Sequence, residues 1–129
     1  MPEAVTEHDA DVVLDVEFDR GLFFLVLENI GDAPAHAVRT RFEGPLIGLG
    51  GERRIDRLEI FRRLEFLAPH RRLRVFLDRS ALLFARDEPT AFAVRLTWRT
   101  DHDERRARTI RHDLAAYRDF PYLEVPHDA

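Results

Sequence analysis

The sequence predicts an all-β fold, an antiparallel β-sandwich of about seven strands with one or two short helical turns. Large apolar residues alternate with polar ones over a series of short runs. Gly, Pro, Asn and Asp punctuate the chain between those runs, and no long stretch carries the period of an amphipathic helix.

The first strand is read over residues 12–19, where Val12, Leu14, Val16 and Phe18 alternate with Val13, Asp15, Glu17 and Asp19. Asp19-Arg20-Gly21 turns the chain into residues 22–30. There Phe23, Leu25 and Leu27 fill one face while Leu22, Phe24 and Val26 make the other apolar too, so both sides need cover. The corner at residues 29–38 follows. Gly31 is expected to supply a positive φ, and Pro34 fixes its own φ and biases Ala33 away from helix. Val38, Thr40 and Phe42 then alternate with Arg39 and Arg41, a strand with a solvated arginine face, which Gly44-Pro45 ends.

Gly48, Gly50 and Gly51 do not fit the order of a phosphate loop, and the chain has no lysine to complete one, so they are expected to form a flexible connector. Ile55, Leu58, Phe61 and Leu64 recur every third residue, the spacing of a short helix or 3₁₀ turn lying on a sheet. A brief strand at residues 64–67, a turn at residues 68–71 and a strand through Leu73, Val75 and Leu77 come next. Residues 80–86 read as one helical turn, stopped before Pro89. The clearest strand spans residues 91–100, with Phe92, Val94, Leu96 and Trp98 facing the predicted core. A polar tip, Asp101-His102-Asp103-Glu104, leads to a returning strand with Ile110 and His112 on its inner side. In domain terms, residues 1–10 are expected to be a flexible tail, residues 11–116 the sandwich, and residues 117–129 an extended tail that buries its aromatics on the surface.

At 129 residues the chain fits one domain. The absence of cysteine removes disulfides, thiolate metal sites and cysteine nucleophiles. Residues 1–10 are acidic and polar, unlike a secretory signal, and no apolar run reaches the length of a spanning helix, so a cytoplasmic location is expected. All 20 basic residues are arginine, the mark of a GC-rich coding sequence more than of phosphate recognition. A net charge of −4 lacks the overall basic footprint of a nucleic-acid binder.

The run Leu25, Asn29, Gly31, Ala35, Val38, with the later Phe66-Leu67-Ala68-Pro69 turn and the residue 92–98 strand, resembles bacterial CARDB-like and related immunoglobulin-like modules over residues 12–114. The resemblance implies an immunoglobulin-like β-sandwich acting as a non-catalytic spacer, adhesion unit or accessory domain. The cysteine pair and tyrosine corner of antibody domains are absent.

The function expected from these features is a non-catalytic protein-interaction or assembly module, with a protein partner or a second copy meeting Leu22, Phe24 and Val26. One alternative is a small-ligand- or metal-dependent enzyme at the Asp101, His102, Asp103, Glu104 tip. Another is weak nucleic-acid binding along a basic strip of Arg95, Arg99, Arg105 and Arg111, although Phe92 and Trp98 face away from it. Ser80 has no nucleophile elbow around it, His112 and Asp113 diverge as strand neighbours, and His36 and His70 fall in turns. No cofactor, catalytic residue or metal ligand is assigned.

Overall fold

The computed structural model describes residues 9–119. Residues 1–8 of the tail expected at residues 1–10, and the last ten positions of the tail expected at residues 117–129, lie outside that range. Nine strands are present among the described residues: β1 (Val12–Asp19), β2 (Leu22–Asn29), β3 (Ala35–Phe42), β4 (Ile47–Gly48), β5 (Arg53–Arg54), β6 (Leu64–Leu67), β7 (Arg72–Arg79), β8 (Ala91–Arg99) and β9 (Arg105–Asp113). Two short helices, α1 (Glu59–Arg62) and α2 (Ser80–Ala85), sit where the three-residue spacing and the residue 80–86 cluster place them. Seven strands make an all-β antiparallel sandwich, β1-β2-β7 against β6-β3-β8-β9, and β4 pairs with β5 as a small separate ribbon. β6 pairs with β3, so the sheet that holds β8 and β9 has four strands and the facing sheet three.

The core lies between the two sheets. Val12, Leu14, Val16, Phe23, Leu25, Leu27 and Leu77 meet Ala35, Val38, Leu67, Val94, Leu96 and Trp98, all buried. Period-two alternation therefore assigned the inward face of β8 correctly, and Trp98 is 5% exposed. Between the sheet edges, β1 lies against β8 and β9. His112 Nε2 lies 2.8 Å from the Leu14 carbonyl, and Arg108 pairs with Asp11 at 2.8 Å.

The outer face of β2 is covered by long side chains of its own sheet. Val26 has no exposed area and lies in register between Asp15 and Arg74. The Arg74 guanidinium sits 3.6 Å above the Phe24 ring, and Arg72 and Arg74 both pair with Glu17. Guanidiniums laid flat on apolar surface bury their stems and keep their charge wet.

Asn29 fixes the corner. Its Oδ1 accepts from the Asp11 and Gly31 amides at 3.1 and 3.0 Å, and its Nδ2 donates to the Ala33 and Leu67 carbonyls at 2.9 and 3.1 Å. Gly31 does not adopt the expected positive φ; it is glycine for lack of room, since a Cβ there would lie 2.1 Å from the Asp9 carbonyl oxygen. Nor is the glycine-rich stretch a free connector. A Cβ on Gly48 would lie 2.0 Å from the Leu77 carbonyl oxygen, and the buried Asp78 carboxylate accepts from the Gly50 amide at 3.0 Å, so the ribbon is docked on β7.

Candidate functional site

The outer face of the β6-β3-β8-β9 sheet gathers charge of one sign. Because side chains alternate and directly paired residues share a face, the inward setting of Phe92, Val94, Leu96 and Trp98 turns Arg95, Thr97 and Arg99 outward. The register then joins them to Arg41 and Arg39 on β3 and to Arg105, Ala107, Thr109 and Arg111 on β9. Two pairs of arginines stand directly opposite each other, Arg41 with Arg95 and Arg99 with Arg105. Like charges in that position weaken a sheet by a fraction of a kcal/mol, up to about 1 kcal/mol.

Few acids reach these groups. Arg39 pairs with Glu65 and Arg99 with Asp103, at 2.8 and 2.9 Å. Arg41, Arg95, Arg105 and Arg111 have no ion pair among the described residues. Elsewhere several arginines are matched. Arg72 has its pKa raised above the usual arginine value, chiefly by its hydrogen bond to Glu17, and Arg106 likewise by Glu104, 2.8 Å away. Four guanidiniums without an ion pair among the described residues thus share one sheet face of a chain whose net charge is −4.

A β-bulge shapes the middle of this face. The register slips between His36 and Arg39, and Ala37 takes a left-handed φ of 49°, a strained conformation for a residue with a Cβ. A shallow cleft of about 310 Å³ opens there, with Ala37, Thr97 and Ala107 among small residues between Arg95, Arg99 and Arg105. Row by row across the strands, Phe66, His36, Arg99 and Arg105 are in register, and Phe66 is 53% exposed. Guanidinium forks around small residues suit carboxylate or phosphate, which they bind bidentately.

The strip expected from sequence, Arg95, Arg99, Arg105 and Arg111, is therefore on one face. Arg106 and Arg108 of the same strand point to the other side and pair with Asp9 and Asp11. Sequence reading found the arginine face of β3 but did not join it to the hairpin, because that pairing spans more than fifty residues. It also missed Phe66 and His36 as outward neighbours. Arg111 is at the less basic end, in a cleft shared with Glu43 and Asp113.

On the opposite sheet, Leu22 and Phe24 are half-buried and Val26 is buried. At the hairpin tip the carboxylates diverge toward separate partners. Asp101 lies 2.7 Å from His36 Nε2, Asp103 pairs with Arg99, and Glu104 pairs with Arg106. His102 is exposed, and among the described residues no three acids or histidines converge as metal ligands. Asp113 accepts from Thr90 Oγ1 at 2.8 Å and the Ala115 amide at 3.0 Å, while His112 faces β1. Ser80 opens α2, and His70 pairs with Asp32 at 3.0 Å. No helix among the described residues is long and apolar enough to cross a membrane. Comparison with curated proteins and with solved structures gave no match. Residues 3–118, most of the chain, match the family described as a domain of unknown function, DUF8453, and the chain belongs to that family.

Proposed function

We propose that this domain is a non-catalytic protein-interaction module that docks an acidic segment of a protein partner on the arginine face of its four-stranded sheet. The observation that carries this reading is the pair of direct arginine-to-arginine oppositions, Arg41 with Arg95 and Arg99 with Arg105, in which Arg99 alone has an acid partner among the described residues, Asp103. A local rule broken with no gain to the fold marks a surface kept for another purpose. Arginine is also, with tryptophan and tyrosine, enriched among the few residues that anchor interfaces. The sequence resemblance to CARDB-like modules, which are mostly non-catalytic, points the same way, and the absence of cysteine suits a reducing cytoplasm.

An acidic peptide fits better than a nucleic acid. From Arg105 to Arg111 the strip runs about 20 Å at the usual rise per strand residue. It is bounded by Asp101 and Asp103 at one end and by Glu43 and Asp113 at the other. A longer phosphate backbone would run onto those acids, and Phe66 offers stacking for a single base at the sheet margin. A glutamate-rich peptide of about six residues, long enough to span the strip, is expected to bind more tightly than an oligothymidylate of equal charge. Replacing Arg95 and Arg105 by glutamine should weaken the peptide by at least about tenfold. Equal or tighter binding of the oligonucleotide, or peptide affinity untouched by the double replacement, would count against this function.

Self-association is the second reading, favoured by Phe76, 36% exposed and 5.6 Å from Phe24 on the outer face of the other sheet. Light scattering should then show mass rising with concentration. A monomer at every concentration removes it.

A further inference from the structure

We infer that the cleft between the free edge of β3 and α1 binds a phosphorylated small molecule, no larger than a mononucleotide. β6 pairs with β3 only at Ala35, His36 and Val38, so among the described residues no strand pairs with residues 39–42 on that side. α1 packs beside them instead and leaves an open cleft of about 750 Å³, within the range of small-molecule sites. Arg39, Arg41, Arg57 and Arg62 line it. Arg41, Arg57 and Arg62 have no ion pair among the described residues.

The one carboxylate in the lining does not offset them, because it is already engaged. Asp56 accepts from the Leu46 amide at 3.0 Å and takes Arg54 through both oxygens, at 2.9 and 2.8 Å. Burial pushes its pKa up, but those hydrogen bonds and the Arg54 charge hold it below the ordinary carboxylate value.

Thr40 supplies the second, independent observation. It lines the same cleft, it is 5% exposed, and its buried Oγ1 has no hydrogen-bond partner among the described residues. A buried hydroxyl left unpaired costs about 1–3 kcal/mol, a cost that a ligand oxygen offsets once the occluded Thr40 side chain turns toward the cleft and donates its proton. Phe42 and Phe61, edge to face at 5.1 Å, give the cleft an apolar wall. Guanidinium forks and a hydroxyl for phosphate oxygens, beside an aromatic wall for the rest of the molecule, set the ligand class.

The test is calorimetric titration of the full chain with a nucleoside monophosphate, with the unphosphorylated nucleoside and a phosphoserine peptide as further arms. The nucleoside monophosphate should bind and the nucleoside should not. Arg57→Gln with Arg62→Gln should weaken binding by at least about tenfold. Thr40→Val should weaken it about threefold without lowering the thermal midpoint, since that change removes an unpaired buried group. No heat from the nucleotide, binding indifferent to Arg57 and Arg62, or binding of the phosphopeptide alone would overturn the inference. Arg57 and Arg62 are not part of the docking strip, so the glutamate-rich peptide should still bind their double variant, and the two proposals fail separately.

Discussion

Replacing Asn29 by alanine is expected to destabilise the fold by about 4 kcal/mol, measured by urea unfolding. The side chain is fully buried and makes four hydrogen bonds, accepting from Asp11 and Gly31 and donating to Ala33 and Leu67. Truncation leaves two amides and two carbonyls in place with their common partner gone. Each such group, where water cannot reach it, costs about 1–3 kcal/mol. The bonds join the entry to β1, the corner after β2 and the end of β6, so the loss falls on both sheets. Asn29→Asp retains the two acceptor bonds, loses both donor bonds and buries a charge, and it should also be destabilising. A cost below about 1 kcal/mol for the alanine variant would mean that the corner is held by its backbone alone.

Phe23→Ala should cost a similar amount, about 3–5 kcal/mol. Phe23 has no exposed area and packs edge-on against Phe18 at 4.9 Å and against Phe84 and Tyr117 at 5.7 Å. Those rings come from β1, from α2 and from the 3₁₀ turn at Leu114–Tyr117, so one side chain anchors three separately folded segments. The cavity left by truncation cannot close without moving all three, which places the expected cost high in the usual range. Thermal unfolding of the variant should show a lowered midpoint with the strand signal in circular dichroism intact before melting. A midpoint within a degree or two of the parent (roughly the shift expected for half a kcal/mol in a domain of this size) would contradict this account of the core.

The parts of the fold legible in the sequence were those set by local periodicity. β8 declared its faces because Phe92, Val94, Leu96 and Trp98 alternate with smaller or charged residues. The helical turns were legible in the spacing of Ile55, Leu58 and Phe61. What was not legible depended on partners distant in the chain. Gly31 and Gly48 are glycines because the Asp9 and Leu77 backbones pass close by, and no local pattern encodes that approach. The apolar outer face of β2 suggested a covering element, whereas the cover is Arg74 and its neighbours, ordinary surface residues until the register is known.

The same limit applied to the candidate site. Alternation on β8 and β9 was enough to select Arg95, Arg99, Arg105 and Arg111 and to separate them from the inward side of the strand. It could not reveal that Arg41 stands opposite Arg95, nor that the bulge at Ala37 opens a cleft between the guanidiniums. Overall charge misled as well. A net charge of −4 says little about one face when Glu17, Glu28, Asp9 and Asp11 are occupied by arginines elsewhere.

The proposed docking surface requires that the opposed arginines weaken the free domain while serving a partner. It is tested most directly by the thermal midpoint of the Arg95→Thr, Arg105→Thr double variant at low and high salt. Relief of two like-charge contacts predicts a variant about 1 kcal/mol more stable than the parent at low salt, with the difference shrinking as salt screens the charges. A variant less stable than the parent, or a difference indifferent to salt, would contradict the claim.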